Sequence, residues 1–499
     1  MVAVNRRKIQ TTLIVLVLLV AAFLRLYKIR DTLLFLGDQG RDVLVVKRML
    51  VDHKFTLLGP TASVGGFYLG PIYYYFMLLP LWLSRLDPVG PAVMVALVGV
   101  AGAWLIYRLA SFLVGKSFAL LPAFLWAVSS PLVKSQRFSW NPNVLPFFSL
   151  LFFYWAYRWR RHQRPLFLVF AGGCLGVALQ LHYLSLILLP LSLVVIFRPP
   201  LSRWFKDALF MALGGAITFS PFILFELRHR FPNTRTIIDF LTRKDSAVTL
   251  QGFKPHERFW LLSRRLFQYA LGFEGIDWIV DLLIIALLLL TLYYLLRRRS
   301  TYTLRLFFAW IAGLLILGLY QGQIYDYYFN FLVPLPFLLL AVLFRFLWKK
   351  QKQLATLSIL AFLLFFLAVN LPRQAIFDPP IRLLDQTHRI ARLIEEKSQG
   401  KPFNFALIAA HNSDHAYRYF LEIDGFRPKT LEEEITEQLF VVCEDADCQP
   451  LGHPLWEIAG FGRAIIEGQW QDPVGIKIYR LIHHPDSQHL IGQPAPKGV

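Results

Sequence analysis

A chain of 499 residues that is 56% hydrophobic and only 17% charged, with a mean hydropathy of +0.49, is too apolar for an ordinary soluble protein, in which the charged share is about 25%. The composition is that of a polytopic membrane protein. Its net charge of +20 does not signal a nucleic-acid partner, because the lysines and arginines stand in short clusters between hydrophobic runs, as orientation signals do.

The first apolar run, Thr11 to about Leu26, has no small-residue cleavage site and is followed by many more, so it is expected to be a retained helix. A spanning helix needs about 20 mostly apolar residues. Cutting the chain at its basic clusters predicts eleven spans, near 11–27, 91–113, 118–133, 144–157, 166–180, 184–197, 207–224, 278–296, 304–320, 327–346 and 354–370. Arg6-Arg7-Lys8, Lys116, Arg158 to Arg164, Arg198/Arg203/Lys206, Arg297-Arg298-Arg299 and Arg345 to Lys352 recur after every second span, which puts them and the N-terminus on the cytoplasmic side. If GPIYYYFMLLPLWLSRL (70–86) also crossed, every later cluster would face outward, so it is read as an interfacial or re-entrant helix, which its Tyr73-Tyr74-Tyr75 and Trp82 suit.

The first external loop then runs from Lys28 to about Gly90 and opens with LGDQGRDVLVVKRML. Asp38, Arg41 and Asp42, spaced i, i+3, i+4, share one face of a helix, and Val43, Val46 and Leu50 form an apolar stripe suited to the bilayer. Carboxylates at a membrane boundary are costly unless paired or used. The plain account is that Asp38 caps the helix while Asp42 pairs with Arg41 or Lys47. The Gly- and Pro-rich stretch 57–75 reads as a substrate-proximal loop or as a plain connector.

Farther along, Lys134 and Arg137 lie at the external end of the third span, in a loop that continues as SQRFSWNPN with Asn141 and Asn143. His182 sits at the external turn between spans five and six. Arg228 and His229 open a second long external segment, Phe225 to Asp277, and QIYDYYFNFLVPLP (323–336) places Tyr325, Asp326 and Tyr328 at the start of span ten. Snorkelling of the cations and interfacial anchoring of the tyrosines are the competing accounts for these positions.

After Asn370 the chain turns polar. Periodicity predicts a helix in IRLLDQTHRIARLIEE, a strand in FNFALIA, a helix in HAYRYFLEI and strands in LFVVCED and GIKIYRLIHH, a small extracytoplasmic α/β module. Cys443 and Cys448 lie in it, either as a disulfide or as a reduced pair. The expected division is 1–370 for the membrane domain, 371–485 for the module and 486–499 for a flexible tail.

The order of these features, over about residues 1 to 370, resembles the GT-C glycosyltransferases, in the branch of the protein O-mannosyltransferases and lipid A aminoarabinose transferases. The resemblance implies a GT-C fold of about eleven transmembrane helices, with interfacial helices in the first loop. It also implies a polyprenyl-phosphate-linked sugar donor, a protein, lipid or glycan acceptor, and location in the plasma membrane with the active site extracytoplasmic. Asp38 in LGDQGRD matches the family's first-loop aspartate and looks like the general base. The next position, often Glu in relatives, is Gln39.

Where relatives commonly carry Asp in the second loop, this sequence has Asn141 and Asn143, poor ligands for a divalent cation compared with carboxylates. No metal ligand is assigned and a divalent cation is left open. Lys134, Arg137, Arg228 and His229 are candidates for the donor phosphate, and Arg41, Asp42, Asn141, Asn143, His182, Tyr325, Asp326 and Tyr328 for other substrate contacts. Such a donor already carries a good leaving group, so no nucleotide-binding loop is required, and the chain has no GxxxxGK[ST] or strand-flanked GxGxxG. The rival class is a lipid flippase or transporter, for which internal repeats and mid-membrane charges would be expected. The polar groups here gather at span ends instead.

Overall fold

The computed structural model describes residues 2–62, 65–196, 200–242, 254–297, 301–320, 322–445 and 447–495. In chain order its helices are α1 (Val2–Leu26), α2 (Gly37–Val51), α3 (Ile72–Leu83), α4 (Val89–Val114), α5 (Lys116–Val128), α6 (Ser130–Ser135), α7 (Leu145–His162), α8 (Leu166–Leu181), α9 (Leu188–Val195) and α10 (Trp204–Arg228). They continue with α11 (Pro232–Thr242), α12 (Pro255–Leu271), α13 (Asp277–Leu296), α14 (Tyr302–Leu317), α15 (Pro334–Lys350), α16 (Lys352–Asn370), α17 (Leu383–Ser398), α18 (His415–Ile423) and α19 (Trp456–Ala459). The described residues also form four strands, β1 (Asn404–Ile408), β2 (Gln438–Cys443), β3 (Ala464–Gln471) and β4 (Lys477–His483). Arg198, Arg298 and Arg299 of the basic clusters, and the last four residues, lie outside the described residues, as do the side chains of Arg6 and Arg7.

A helix stands at each of the eleven expected span positions. Among the described residues five stretches, Lys8–Leu26, Val89–Val114, Trp204–Arg228, Asp277–Leu296 and Lys352–Asn370, are long and apolar enough to cross a membrane, and shorter apolar helices accompany them. Helix α3 has only 12 residues and contains Pro80, so it spans about 18 Å at 1.5 Å per residue, well short of a hydrocarbon core of about 30 Å.

The chain forms two compact units. Residues 1–29 and 53–379 make the helical unit. In it α8 and α10 pack closely because glycines face the partner's backbone: a Cβ on Gly172 would stand 1.9 Å from the Met211 carbonyl oxygen, and one on Gly214 would stand 1.9 Å from that of Val169. Where helices break inside this unit, side chains satisfy the exposed backbone. Arg25, fully buried, donates to the carbonyls of Trp126 and Ala127 at the end of α5 (3.1 and 2.9 Å) and to Gln136 (2.8 Å). Asn370 accepts from the Ser130 N–H (2.8 Å) and donates to Leu271 at the end of α12 (2.8 Å), while Gln374 donates to Val128 (2.7 Å).

Residues 30–52 and 380–499 form the second unit. The sheet order is β1-β2-β4-β3, with β1 and β2 parallel and the other pairs antiparallel. The predicted helices and strands of this module are present as α17, β1, α18, β2 and β4. Strands β1 and β2 are buried along their whole length, which is why they read as unbroken apolar runs. Strand β3 escaped the sequence reading: most of its residues are accessible and a bulge between Ile466 and Gly468 breaks its alternation. Cys443 and Cys448 form a disulfide. The expected flexible tail from 486 onward is corrected over its described part. Ala495 is buried in the sheet core and donates to Leu431 (2.8 Å), and Gly492 donates to Ile435 (2.9 Å).

The apolar stripe of α2 is also corrected. Val43 and Val46 are buried within the protein. Helix α2 packs on α18 rather than offering that face to lipid, because Gly37 and Gly40 admit it: a Cβ on Gly37 would lie 1.9 Å from Ser413 Oγ and one on Gly40 2.3 Å from the Ala416 nitrogen. Lys47 and Arg48 then pair with Glu422 of α18 (3.1 and 3.3 Å).

The second unit carries a carboxyl that makes its stability pH-dependent. Burial, with the neighbouring Asp424 carboxylate, raises Glu395 on α17 to about 7. The native group keeps its proton to higher pH than an unfolded glutamate near 4.3, so its contribution is complete below that value and is lost as pH rises through about 7. Glu395→Gln is therefore expected to flatten the fall in thermal midpoint between pH 5 and 8. An unchanged slope in the variant would refute this.

Candidate active site

The acidic helix presents one compact ion cluster. Arg41 reaches both neighbouring carboxylates, with Nη1 2.9 Å from Asp38 and Nη2 and Nε 2.9 and 3.0 Å from Asp42. The i, i+3 spacing brings Asp38 and Arg41 together on one helix face, and the long Arg41 side chain also reaches the carboxylate of the adjacent Asp42. Asp42 is fully buried, whereas about half of the Asp38 side chain is exposed. The first turn is capped by Gln39, whose Oε1 accepts from the Leu36 N–H at 3.0 Å, and not by Asp38. The cap thus uses the neutral amide and leaves the Asp38 carboxylate to Arg41.

Residues from the loop after β1 surround this turn. Asn412 Oδ1 accepts from the Gly37 N–H (2.8 Å), and its amide donates to both oxygens of Glu444 (3.0 Å each), which follows β2. Tyr417 also donates to Glu444 (2.7 Å). Ser413 Oγ lies 3.0 Å from His415 Nδ1. Partial burial lowers the His415 imidazole below the ordinary histidine range, with Asp414 opposing and Arg41 and Arg418 adding to the shift and Asp38 opposing it. Asn412, Ser413 and His415 were missed in the sequence. The available signal was HNSDH (411–415), a polar run where a predicted strand meets a predicted helix, at the carboxyl end of a parallel strand.

In the helical unit a second constellation forms around His182. Its ring stacks on Tyr183 (4.7 Å) and meets Tyr328 (4.8 Å) and Tyr327 (5.6 Å). Tyr183 joins hydroxyls with Tyr320 (3.1 Å) and Tyr328 (3.3 Å), and Trp140 stands edge-on to Tyr327 at 4.7 Å. Burial holds the imidazole of His182 well below its usual range, so it is neutral. Tyr328 is buried, while Tyr325 and Asp326 are exposed, and Asp326 pairs with Arg265 of α12 at 2.8 Å. Arg265 and the tyrosines 183, 320 and 327 are further residues the sequence reading passed over. The Gly-rich stretch reaches the same cluster, with Phe67 edge-on to Tyr183 at 5.8 Å and Tyr68 bonded through both backbone groups to Asn233 (2.6 and 2.8 Å).

Asn141 belongs to this framework as a brace: it donates to the Leu181 carbonyl next to His182 (2.6 Å), while Asn330 donates to Pro142 (2.8 Å). Asn143 donates to Phe138 (3.2 Å) and is likewise buried. The other sequence candidates serve different contacts. Lys134 pairs with Asp378 (2.9 Å). Arg137 is buried and donates to the carbonyls of Leu24 and Tyr27 at the end of α1 (2.8 Å each), which makes it a helix cap. Arg228 and His229 are exposed at the end of α10, with His229 Nδ1 2.9 Å from the Phe225 carbonyl.

Among the described residues no group of three His, Cys, Asp or Glu side chains is placed to hold a metal ion. At the acidic helix a guanidinium already stands between the two carboxylates. Two carboxylates already shared with a guanidinium do not make the six-to-eight-oxygen shell that a calcium ion takes.

Residues 70–225 match the model of the family described as dolichyl-phosphate-mannose-protein mannosyltransferase. The fold is similar to that of ArnT from Cupriavidus metallidurans bound to undecaprenyl phosphate, at a TM-score of 0.59 and 15% identity, covering 94% of this chain and 97% of that one. It is also similar to the oligosaccharyltransferase of Archaeoglobus fulgidus in complex with zinc and sulfate, with a TM-score of 0.52, 14% identity, and 94% and 72% of the two chains covered. A third likeness is to the same organism's AglB in complex with an inhibitory peptide and a dolichol-phosphate, with a TM-score of 0.50, 14% identity, and 88% and 69% covered. No curated protein sequence matches the chain. The resemblance read from the sequence agrees with this likeness in fold and with the family match over residues 70–225.

If Arg137 caps α1, removing it leaves two buried carbonyls without their charged donor. Arg137→Ala should cost on the order of 2–3 kcal/mol, read as a lowered thermal midpoint in detergent. A variant as stable as the wild type would contradict the capping role.

Proposed function

We propose that the chain is an integral-membrane glycosyltransferase that moves a sugar from a polyprenyl-phosphate carrier to an acceptor hydroxyl on the extracytoplasmic side of the plasma membrane, with its N-terminus in the cytoplasm and Asp38 as general base. The observation that carries this reading is the half-exposed Asp38 carboxylate, fixed by Arg41 on the first turns of α2, in a chain of GT-C fold. The bound undecaprenyl phosphate of ArnT and dolichol-phosphate of AglB, together with the family match, support the donor class and make mannose the first sugar to try.

In the reaction the acceptor oxygen bonds to the anomeric carbon as the bond from that carbon to the phosphate oxygen breaks, and polyprenyl phosphate leaves. The acceptor proton passes to Asp38. Attack opposite the leaving group inverts the anomeric carbon. A positioned base contributes roughly 10²- to 10⁴-fold, and the salt bridge to Arg41 holds the carboxylate in one orientation. The departing phosphate requires fixed positive charge, and within the helical unit the exposed Arg228 is the candidate for it. In the same unit the exposed Tyr325 and Asp326 are the candidates for sugar contacts, with Tyr328 and His182 buried in the aromatic cluster. With the Asp38 and Asp42 carboxylates already shared by Arg41, no divalent metal is assigned.

Purified protein supplied with polyprenyl-phosphate mannose and a panel of other polyprenyl-phosphate sugars is expected to release polyprenyl phosphate and glycosylate an acceptor. Asp38→Asn should lower the rate by about 10²-fold or more, while a chelator leaves it within about twofold. Full activity in Asp38→Asn would remove the base assignment. Movement of intact lipid across vesicles with no cleavage would replace the enzyme by a flippase.

A further inference from the structure

The loop after β1 and the start of α18 bring a second set of polar side chains against the acidic turn of α2. The contact is built closely, since neither Gly37 nor Gly40 has room for a Cβ against residues 413–416. Asn412 ties the Gly37 N–H to Glu444, so the turn bearing Asp38 is held from the sheet side. Next to it Ser413 Oγ bonds His415 Nδ1 at 3.0 Å, which leaves Nε2 as the ring atom available to a ligand. The imidazole side chain is 42% exposed and that of Asp38 51%. His415 is also close enough to Asp38 and Arg41 to feel both charges.

The cations of this cluster already have carboxylate partners. Arg41 is paired with Asp38 and Asp42, Arg418 with Asp414, and Lys47 and Arg48 with Glu422. A phosphorylated acceptor would meet carboxylates, and binding it would require breaking one of these pairs. An uncharged alcohol meets a carboxylate that accepts its proton and an imidazole and a hydroxyl that each donate and accept.

We propose that Asp38, Ser413 and His415 together form the acceptor subsite, and that it takes an uncharged alcohol, either a serine or threonine side chain or a sugar hydroxyl. This rests on the glycosyltransferase reading above. Asp38 takes the proton; His415 Nε2 holds the acceptor hydroxyl or its neighbour in line; Ser413 fixes the ring through Nδ1; Asn412 and Glu444 are positioning residues.

The test uses the full chain in detergent with polyprenyl-phosphate mannose and three acceptors: a serine/threonine peptide, a methyl hexoside and a phosphorylated lipid disaccharide. Transfer is expected to one of the first two, which decides the source of the alcohol. In His415→Ala the acceptor KM should rise roughly fivefold, the loss of one neutral hydrogen bond. The donor KM should not change. His415→Gln, which keeps a hydrogen-bonding group and the fold, should recover most of the loss. If both His415 variants transfer with wild-type acceptor KM while Asp38→Asn is inactive, the subsite is wrong and the enzyme reading stands. Preference for the phosphorylated acceptor overturns the alcohol assignment, and no transfer by the wild type from polyprenyl-phosphate mannose or from any donor of the panel above overturns both.

Discussion

A helix that ends within an apolar interior has no water to take up its last carbonyls, and that constraint organises the helical unit. Each break is closed by a long polar side chain from a distant segment: Arg25 at the end of α5, Arg137 at the end of α1, Asn370 at the end of α12, and Gln374 beside the α5–α6 break. The alternative, an orphaned carbonyl in a low-dielectric surrounding, costs several kcal/mol. The same demand explains why several polar residues that look functional in the sequence are consumed by the backbone. Arg137, Asn141 and Asn143 donate to carbonyls, and a donor so occupied has little left for a substrate.

Several polar residues instead keep an accessible group. In the second unit Asp38 pairs with Arg41, and in the helical unit Asp326 pairs with Arg265 while Tyr325 is exposed. Exposed ion pairs of this kind contribute little to stability, so their value lies in holding charge at a defined place. A salt-bridged carboxylate on a rigid first turn is a base whose direction is already set, and a tyrosine cluster fastened by shared hydroxyls is a wall that does not need to be ordered by its ligand.

The second unit shows how a distant part of the chain can define a local one. Residues 30–52 fold with residues from 380 onward, and the small size of Gly37 and Gly40 is what lets the acidic helix lie against α18. A side chain at either glycine would push the helix off Ser413 and Ala416 and displace the turn that carries Asp38. The disulfide Cys443–Cys448 closes the loop that contains Glu444, whose carboxylate receives Asn412 and Tyr417, so the support for that turn extends into the sheet.

The sequence by itself determined the membrane class, the positions of the apolar helices, the short α3 and most of the C-terminal module, because apolar run length and periodicity act locally and leave a direct trace in residue order. It also marked Asp38, Arg41 and Asp42, since helical spacing places them on one face whatever surrounds them. It did not reveal that the stripe Val43 and Val46 is covered by protein, that Arg137 caps a helix, or that Ser413 and His415 stand beside Asp38 some 375 residues away in sequence, the separation of the Gly37–Asn412 bond. Those outcomes depend on which backbone groups need partners and which surfaces meet, and these are properties of segments brought together by folding that no local pattern encodes.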